Sequence, residues 1–252
     1  MESMRKPLQG VGNIVKFNWH FYAISAAFLS ALLILRQSLP TVYHFPISFL
    51  FILLLATTLI SLLVSFYVYD FSNLYTFDWL LDENEPLSIV NISTGFDETS
   101  HLLRAKFLNA ELTVLDFYDP EKHTEISIKR ARKAYPPFPD TKQINTSKIT
   151  LADKSADKIF VILSAHEIRN ASERVVFFKE LCRVLKPNGQ IFIVEHLRDT
   201  ANFMAYSIGF FHFLSKKSWI NTFRDSNLLV KTKQKITPFI TIFTLNKNGV
   251  TT

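Results

Sequence analysis

The chain has 252 residues, of which 48% are apolar and 20% charged, so it is not a disordered chain and suits one domain with an attachment. Its single cysteine, Cys182, excludes an intrachain disulfide framework and a Cys-rich zinc site. A formal net charge of +6 suits an anionic membrane surface as well as nucleic acid, so the placement of the charges has to decide.

The chain opens with two apolar runs, residues 17–35 and 45–69, that contain no Asp, Glu, Lys or Arg. Each is close to the roughly 20 residues with which a helix crosses a bilayer. Residues 36–44, with Pro40 as a breaker, are short enough to join them as a hairpin over residues 17–70. Trp19, Tyr22, Tyr43 and Tyr67 fall near the expected interfaces. Arg5, Lys6 and Lys16 precede the first run and only Arg36 lies in the turn. By the positive-inside rule residues 1–16 are a cytoplasmic tail and the chain after Tyr69 is cytoplasmic, at the inner, cytoplasmic membrane. Two buried core helices, or a hairpin that dips in without crossing, are the competing readings. Residues 71–86 read as a juxtamembrane connector whose Tyr75, Phe77, Trp79 and Leu80 lie on the membrane or cap the next domain.

From residue 87 to 252 short apolar runs alternate with helical patterns, as in βα units around a parallel sheet. Strands are expected over residues 87–92, 111–116, near 143–146, 157–163 and 190–195. Helices are expected over 98–108, 121–134 and 172–185. A longer helix follows from about Asn202, then two more strands, 228–234 and 239–246, with Thr237-Pro238 as their turn. Residues 203–214 are apolar almost all round, so a helix there must be buried, line an apolar pocket or lie against lipid.

Within this order, Asp157 opens a strand, and Arg183-Val184-Leu185-Lys186-Pro187-Asn188-Gly189 makes a helix stop and turn before the strand from Gln190. Pro187 stops the helix, and Asn188 and Gly189 tolerate positive φ. Together with the closing hairpin, this segment resembles the class I S-adenosylmethionine-dependent methyltransferases, in particular the small-molecule enzymes related to ubiquinone and menaquinone methylation. The resemblance covers roughly residues 87–247. It implies an α/β, Rossmann-like domain, a mostly parallel sheet with a terminal β-hairpin, behind a two-helix transmembrane hairpin. The implied cofactor is S-adenosyl-L-methionine.

The family's turn after the first strand is an acid followed by Gly-x-Gly-x-Gly. Here Asn91 stands at the acidic position, Ser93 and Asp97 replace two glycines, and Gly95 matches one. Asp97 or Glu98 recognises the cofactor's ammonium or caps the next helix. Asp116, at the tip of the second strand, matches the acid that accepts both ribose hydroxyls, and Phe117 and Tyr118 follow it to line the adenine. The adenine-edge position falls near Asn145 or Thr146. Ser164, Ala165, His166 and Glu167 follow the fourth strand, and Glu195, His196 and Arg198 follow the fifth, where the family's substrates sit. The near-neutral reference pKa of His166 suits a base acting on a phenol or enol, with Glu195 and His196 as a second acid/base or a substrate clamp.

His166-Glu167-Ile168-Arg169-Asn170 begins like HExxH but lacks the second histidine, and His101, His123 and His212 show no paired spacing, so no metal is expected. Cys182 fits a core face. The basic run of residues 129–133 fits a solvated helix face before a headgroup contact. No aromatic-basic platform for nucleic acid is evident. The leading reading is a membrane-anchored methyltransferase acting on a lipophilic small molecule such as a quinone precursor, a pigment or a lipid, with oxygen or carbon as the methylated atom. The other is a catalytically inactive membrane scaffold with protein partners in a lipid-related pathway, favoured by the degenerate glycine turn.

Overall fold

The computed structural model describes residues 5–81, 85–123 and 125–249. Two helices lead, α1 (Gln9–Ser38) and α2 (His44–Phe66), joined through a single 3₁₀ turn, Thr41–Tyr43. Both are long and apolar enough to cross a membrane. They are linked by a 3.0 Å hydrogen bond between Ser25 Oγ and Thr58 Oγ1, and Arg36 Nε donates to Ser48 Oγ at 2.9 Å. α1 kinks at Asn18, whose backbone leaves helical angles and whose side chain donates to the Ile14 carbonyl at 3.1 Å. Before the kink Gly10, Asn13 and Phe17 share one buried face. Beyond it the apolar side chains point outward, with Phe21 and Phe28 each 62% exposed and Phe45 of α2 81% exposed.

α1 therefore begins well ahead of the charge-free run, and its first turn docks on the end of α2. There the chain winds into one π-turn, Tyr67–Phe71. The amides of Gly10 and Val11 donate to the two oxygens of Asp70, each at 2.7 Å, so Asp70 caps a helix that has no cap of its own. A Cβ at Gly10 would lie 2.4 Å from Tyr69 Cβ, which makes glycine a condition of this crossing.

The sheet has seven strands: β1 (Ser88–Ser93), β2 (Glu111–Asp116), β3 (Lys142–Gln143), β4 (Ala156–Ile162), β5 (Leu185–His196), β6 (Leu228–Lys235) and β7 (Ile240–Lys247). Their spatial order is β3-β2-β1-β4-β5-β7-β6, and β7 runs antiparallel to both neighbours while the other pairings are parallel. Strand alternation divides the core. Ile159 and Val161 face a layer made by Phe177, Phe178, Trp219 and Phe223, from α5 (Ala171–Val184) and α7 (Lys216–Asp225). Phe160 and Ile162 face Leu103 of α3 (Ser100–Lys106) and Phe107, together with Val68, Leu74 and Phe77. The residues after α2 thus cap one face of the sheet.

Three local expectations are corrected. β5 begins at Leu185, and residues 186–189 form a bulge inside it, between the pairs Ala156–Leu185 and Lys158–Gln190. Neither Asn188 nor Gly189 takes positive φ. Gly189 is needed for close approach instead, since a Cβ there would meet the Asp157 carbonyl at 2.8 Å. The long helix from Asn202 breaks into α6 (Thr200–Tyr206), a 3₁₀ segment Ser207–His212, and α7, because Ser207 sits at φ 49°. The helix expected over 121–134 is α4 (Ile126–Ala134), since Asp119-Pro120 and the following turn occupy its first residues.

Candidate active site

β1 and β4 are neighbours at the point where strand order reverses, and the crevice beyond their carboxyl ends is where open α/β sheets bind ligands. Asn91, on β1, donates from Nδ2 to Thr99 Oγ1 at 2.9 Å and Ser100 Oγ at 2.8 Å. Asp97 Oδ1 accepts from the amides of Thr99 and Ser100, both at 2.9 Å, so it caps α3. The other oxygens of this pair, Asn91 Oδ1 and Asp97 Oδ2, are buried acceptors without a protein partner among the described residues. Glu98 faces the other way, accepting from Arg5 (3.0 Å), Asn13 (3.2 Å) and Tyr75 (2.9 Å), and so ties α1 and the connector to this turn. Ser93 is buried and its carbonyl accepts from the Phe117 amide.

Gly95, at φ 80°, adopts the left-handed conformation that glycine favours. Arg132 lies against it, and Arg132 Nη1 donates to Asp116 Oδ2 at 2.7 Å. Gln143 Nε2 donates to the same oxygen at 2.6 Å, and the guanidinium stacks over Tyr118 at 4.1 Å. The basic run is therefore only partly a solvated face. Arg130 also turns inward, donating to the Phe17 carbonyl at 2.7 Å beside the α1 kink. Beyond Asp116 opens a cleft of about 180 Å³ lined by Phe117, Tyr118, Ile144, Asn145 and Thr146. Asn145 closes a turn through Ser147, and Thr146 donates to Glu173 at 2.5 Å.

Across the crevice, Leu163 at φ 50° turns the chain out of β4. Such a conformation costs a bulky residue roughly 1–2 kcal/mol and is characteristic of functional loops. Ser164 Oγ donates to the Ile92 carbonyl at 3.2 Å. Glu195, fully buried at the end of β5, accepts from the His166 amide at 3.1 Å and pairs with His166 Nδ1 at 2.7 Å. His166 Nε2 faces Glu167 at 3.1 Å. Burial alone would lower the pKa of this imidazole. The charge of Glu195 and the hydrogen bonds to Glu167 and Glu195 outweigh it and raise the pKa to about 10. His166 is thus built to carry a proton at neutral pH, which bears directly on a role as base. Burial opposes the ionisation of Glu167, but hydrogen bonds from His166 and His212 hold its carboxyl well below the ordinary range.

His196 points to the opposite side of β5. Its Nδ1 lies 3.0 Å from Asn202 Oδ1, whose amide nitrogen donates to Asp199 and to the Phe239 carbonyl. Asn202 Oδ1 must therefore accept, so Nδ1 carries the proton and Nε2 accepts from the Tyr69 hydroxyl at 2.8 Å. Burial lowers this histidine to about 4, and it stays neutral.

The structure thus gathers Asn91, Ser93, Gly95, Asp97 and Asp116 at one end of the crevice and His166 and Glu195 at the other. It sets His196 against the π-turn. Sequence reading missed Arg132, Tyr69 and His212, which reach the site only through tertiary packing.

Residues 90–193 match the family model described as a methyltransferase domain. Comparison with curated proteins finds no match. Among solved structures, a SAM-dependent methyltransferase from Aquifex aeolicus is 18% identical, with TM-score 0.50 over 75% of this chain and 97% of that one. One from Methanosarcina mazei is 17% identical, with TM-score 0.50 over 68% and 95%. At such identities the two structures show the fold alone, and the domain match covers residues 90–193. Residues 90–193 are thus similar to a methyltransferase domain, and the chain has the Rossmann-like α/β fold of the S-adenosylmethionine-dependent methyltransferases, built on its seven-strand sheet.

Proposed function

We propose that the protein is a membrane-anchored methyltransferase that acts on a lipophilic acceptor drawn from the bilayer. The observation that carries this reading is the attachment of the apolar helices to both ends of the crevice. Asn13 of α1 bonds Glu98 beside the glycine turn, and Tyr69 of the π-turn that ends α2 bonds His196 at the acceptor end. An apolar ridge continues from the hairpin along Phe203, Met204, Ile208 and Phe211. The basic side chains Arg5, Lys6 and Lys16 support a cytoplasmic domain.

When bound, S-adenosylmethionine supplies an electrophilic methyl group. The chain's own residues fit the rest of it. The unpartnered acceptors Asn91 Oδ1 and Asp97 Oδ2 suit an ammonium, Asp116 the ribose hydroxyls, and the 180 Å³ cleft an adenine edge at Asn145 or Thr146. Arg132 must leave Asp116 for the ribose to bind. Ser93, Gly95 and Phe117 shape this end, and Ser164 holds the loop that carries His166. Glu195 aims His166 at the acceptor side, and His196 links that side to the anchor.

Calorimetry on the full chain in detergent tests this. Micromolar cofactor binding that Asp116→Ala weakens at least tenfold supports an enzyme. The Arg132–Asp116 pair favours a second reading, an inactive scaffold with protein partners. No binding at millimolar cofactor by folded protein would favour that alternative and turn the search toward protein partners.

A further inference from the structure

The imidazoles of His166 and His212 are held in the same way although 46 residues apart. Each turns Nδ1 to a carboxylate, Glu195 for His166 at 2.7 Å and Glu125 for His212 at 2.9 Å. Each turns Nε2 to one oxygen, Glu167 Oε1, at 3.1 and 3.3 Å. The donors come from separate parts of the fold: the loop after β4 for His166 and Glu167, and the 3₁₀ segment after α6 for His212. The three side chains are 11%, 9% and 29% exposed.

We infer that His166, Glu167 and His212 form a binding site for a divalent transition-metal ion. An ion about 2.1 Å from each donor sets neighbouring donors about 3.0 Å apart in octahedral geometry and about 3.4 Å in tetrahedral geometry. The two observed separations, 3.1 and 3.3 Å, lie in that interval. Metal-bound histidines almost always direct the second ring nitrogen to a carboxylate or carbonyl, which fixes the tautomer and raises ligand basicity. Glu195 and Glu125 do this for both rings. Two imidazoles and a carboxylate favour zinc, iron or manganese over magnesium or calcium, and they leave coordination positions open.

Arg169 now stands over His212, with Nη2 2.8 Å from Nε2, and also reaches Glu125 at 3.4 Å. Entry of the ion moves this guanidinium toward Glu125. The ion's role in catalysis rests on the methyltransferase reading above. An acceptor hydroxyl binds the ion and loses its proton to water. Its oxygen then forms a bond to the methyl carbon as the sulfur–methyl bond breaks.

The test is a cobalt(II) titration of full-length, tag-free, chelator-stripped protein in detergent, read by visible absorption. The wild type is expected to develop a saturable band at one equivalent, and zinc to abolish it by competition. His212→Ala, at a half-buried ring, is expected to lose the band, and Glu167→Gln to weaken binding at least tenfold. No band at millimolar cobalt from folded protein, or an undiminished band in His212→Ala, overturns the site. Cofactor calorimetry on the same samples separates the two readings. Cobalt binding without cofactor binding leaves the metal site standing without its methyltransferase role, and the reverse removes the metal alone.

Discussion

Asp116 accepts hydrogen bonds from Arg132 and Gln143 on one buried oxygen, so a ribose hydroxyl has to compete with a guanidinium. Arg132→Ala is therefore expected to tighten cofactor binding by about three- to tenfold in calorimetry, up to about 1.4 kcal/mol. Weaker binding by this variant would make Arg132 a ligand for the cofactor instead. The place of Asp116 at the end of β2 was legible in the sequence because the strand's apolar run stops there. Arg132 was not, because one arginine in a basic run looks like its neighbours until the helix carrying it is docked. The same holds for His212. Nothing in its local spacing pairs it with His166, and only the break at Ser207 brings its 3₁₀ segment across the crevice.

At the scale of elements, six of the seven strands lie within two residues of their expected starts except β5, whose bulge hides the strand's first residues behind a proline and a glycine. β3 is reduced to Lys142–Gln143, a pairing too short to leave an alternating pattern. α1 was underestimated for a different reason. Its first residues are polar and carry glycines, and they are helical because Asp70 accepts their amides. Asp70→Ala is expected to cost about 1–2 kcal/mol, the upper range for a lost cap, and to expose residues 5–16 to protease. Gly10→Val should release the same segment by forcing Tyr69 away. Unchanged melting temperature and protease resistance in both variants would show that the docked turn contributes little to stability.

For the whole molecule, His196 links acid sensitivity to the contact between the sheet and the π-turn that follows α2. It is neutral in the fold, with a pKa of about 4, whereas the unfolded chain has a histidine near 6.5. Between these values the unfolded chain binds a proton that the native one does not. The contribution of His196 to stability is therefore full above about pH 6.5 and is lost toward pH 4, by about 3 kcal/mol. Urea midpoints measured across that range should show the slope in the wild type and a shallower one in His196→Gln. Identical slopes would remove His196 as the cause. The fold as a whole was legible because the alternation of strands and helices is a repeated signal. One contact between the apolar helices and the sheet, Tyr69 with His196, joins residues 127 positions apart and leaves no trace in either neighbourhood.

Arg130 and Arg132 stand two residues apart on α4, yet one holds the Phe17 carbonyl next to the kink in α1 and the other holds Asp116. α4 thus carries one contact to α1 and one to Asp116. If α1 spans a bilayer, its tilt follows the thickness of the hydrocarbon. In that case α4 would couple that thickness to the position of the Arg132 guanidinium. On the membrane-anchored reading proposed above, cofactor affinity measured in nanodiscs of increasing acyl-chain length should vary in the native protein and become flat in Arg130→Ala, so that hydrocarbon thickness itself would act as a signal.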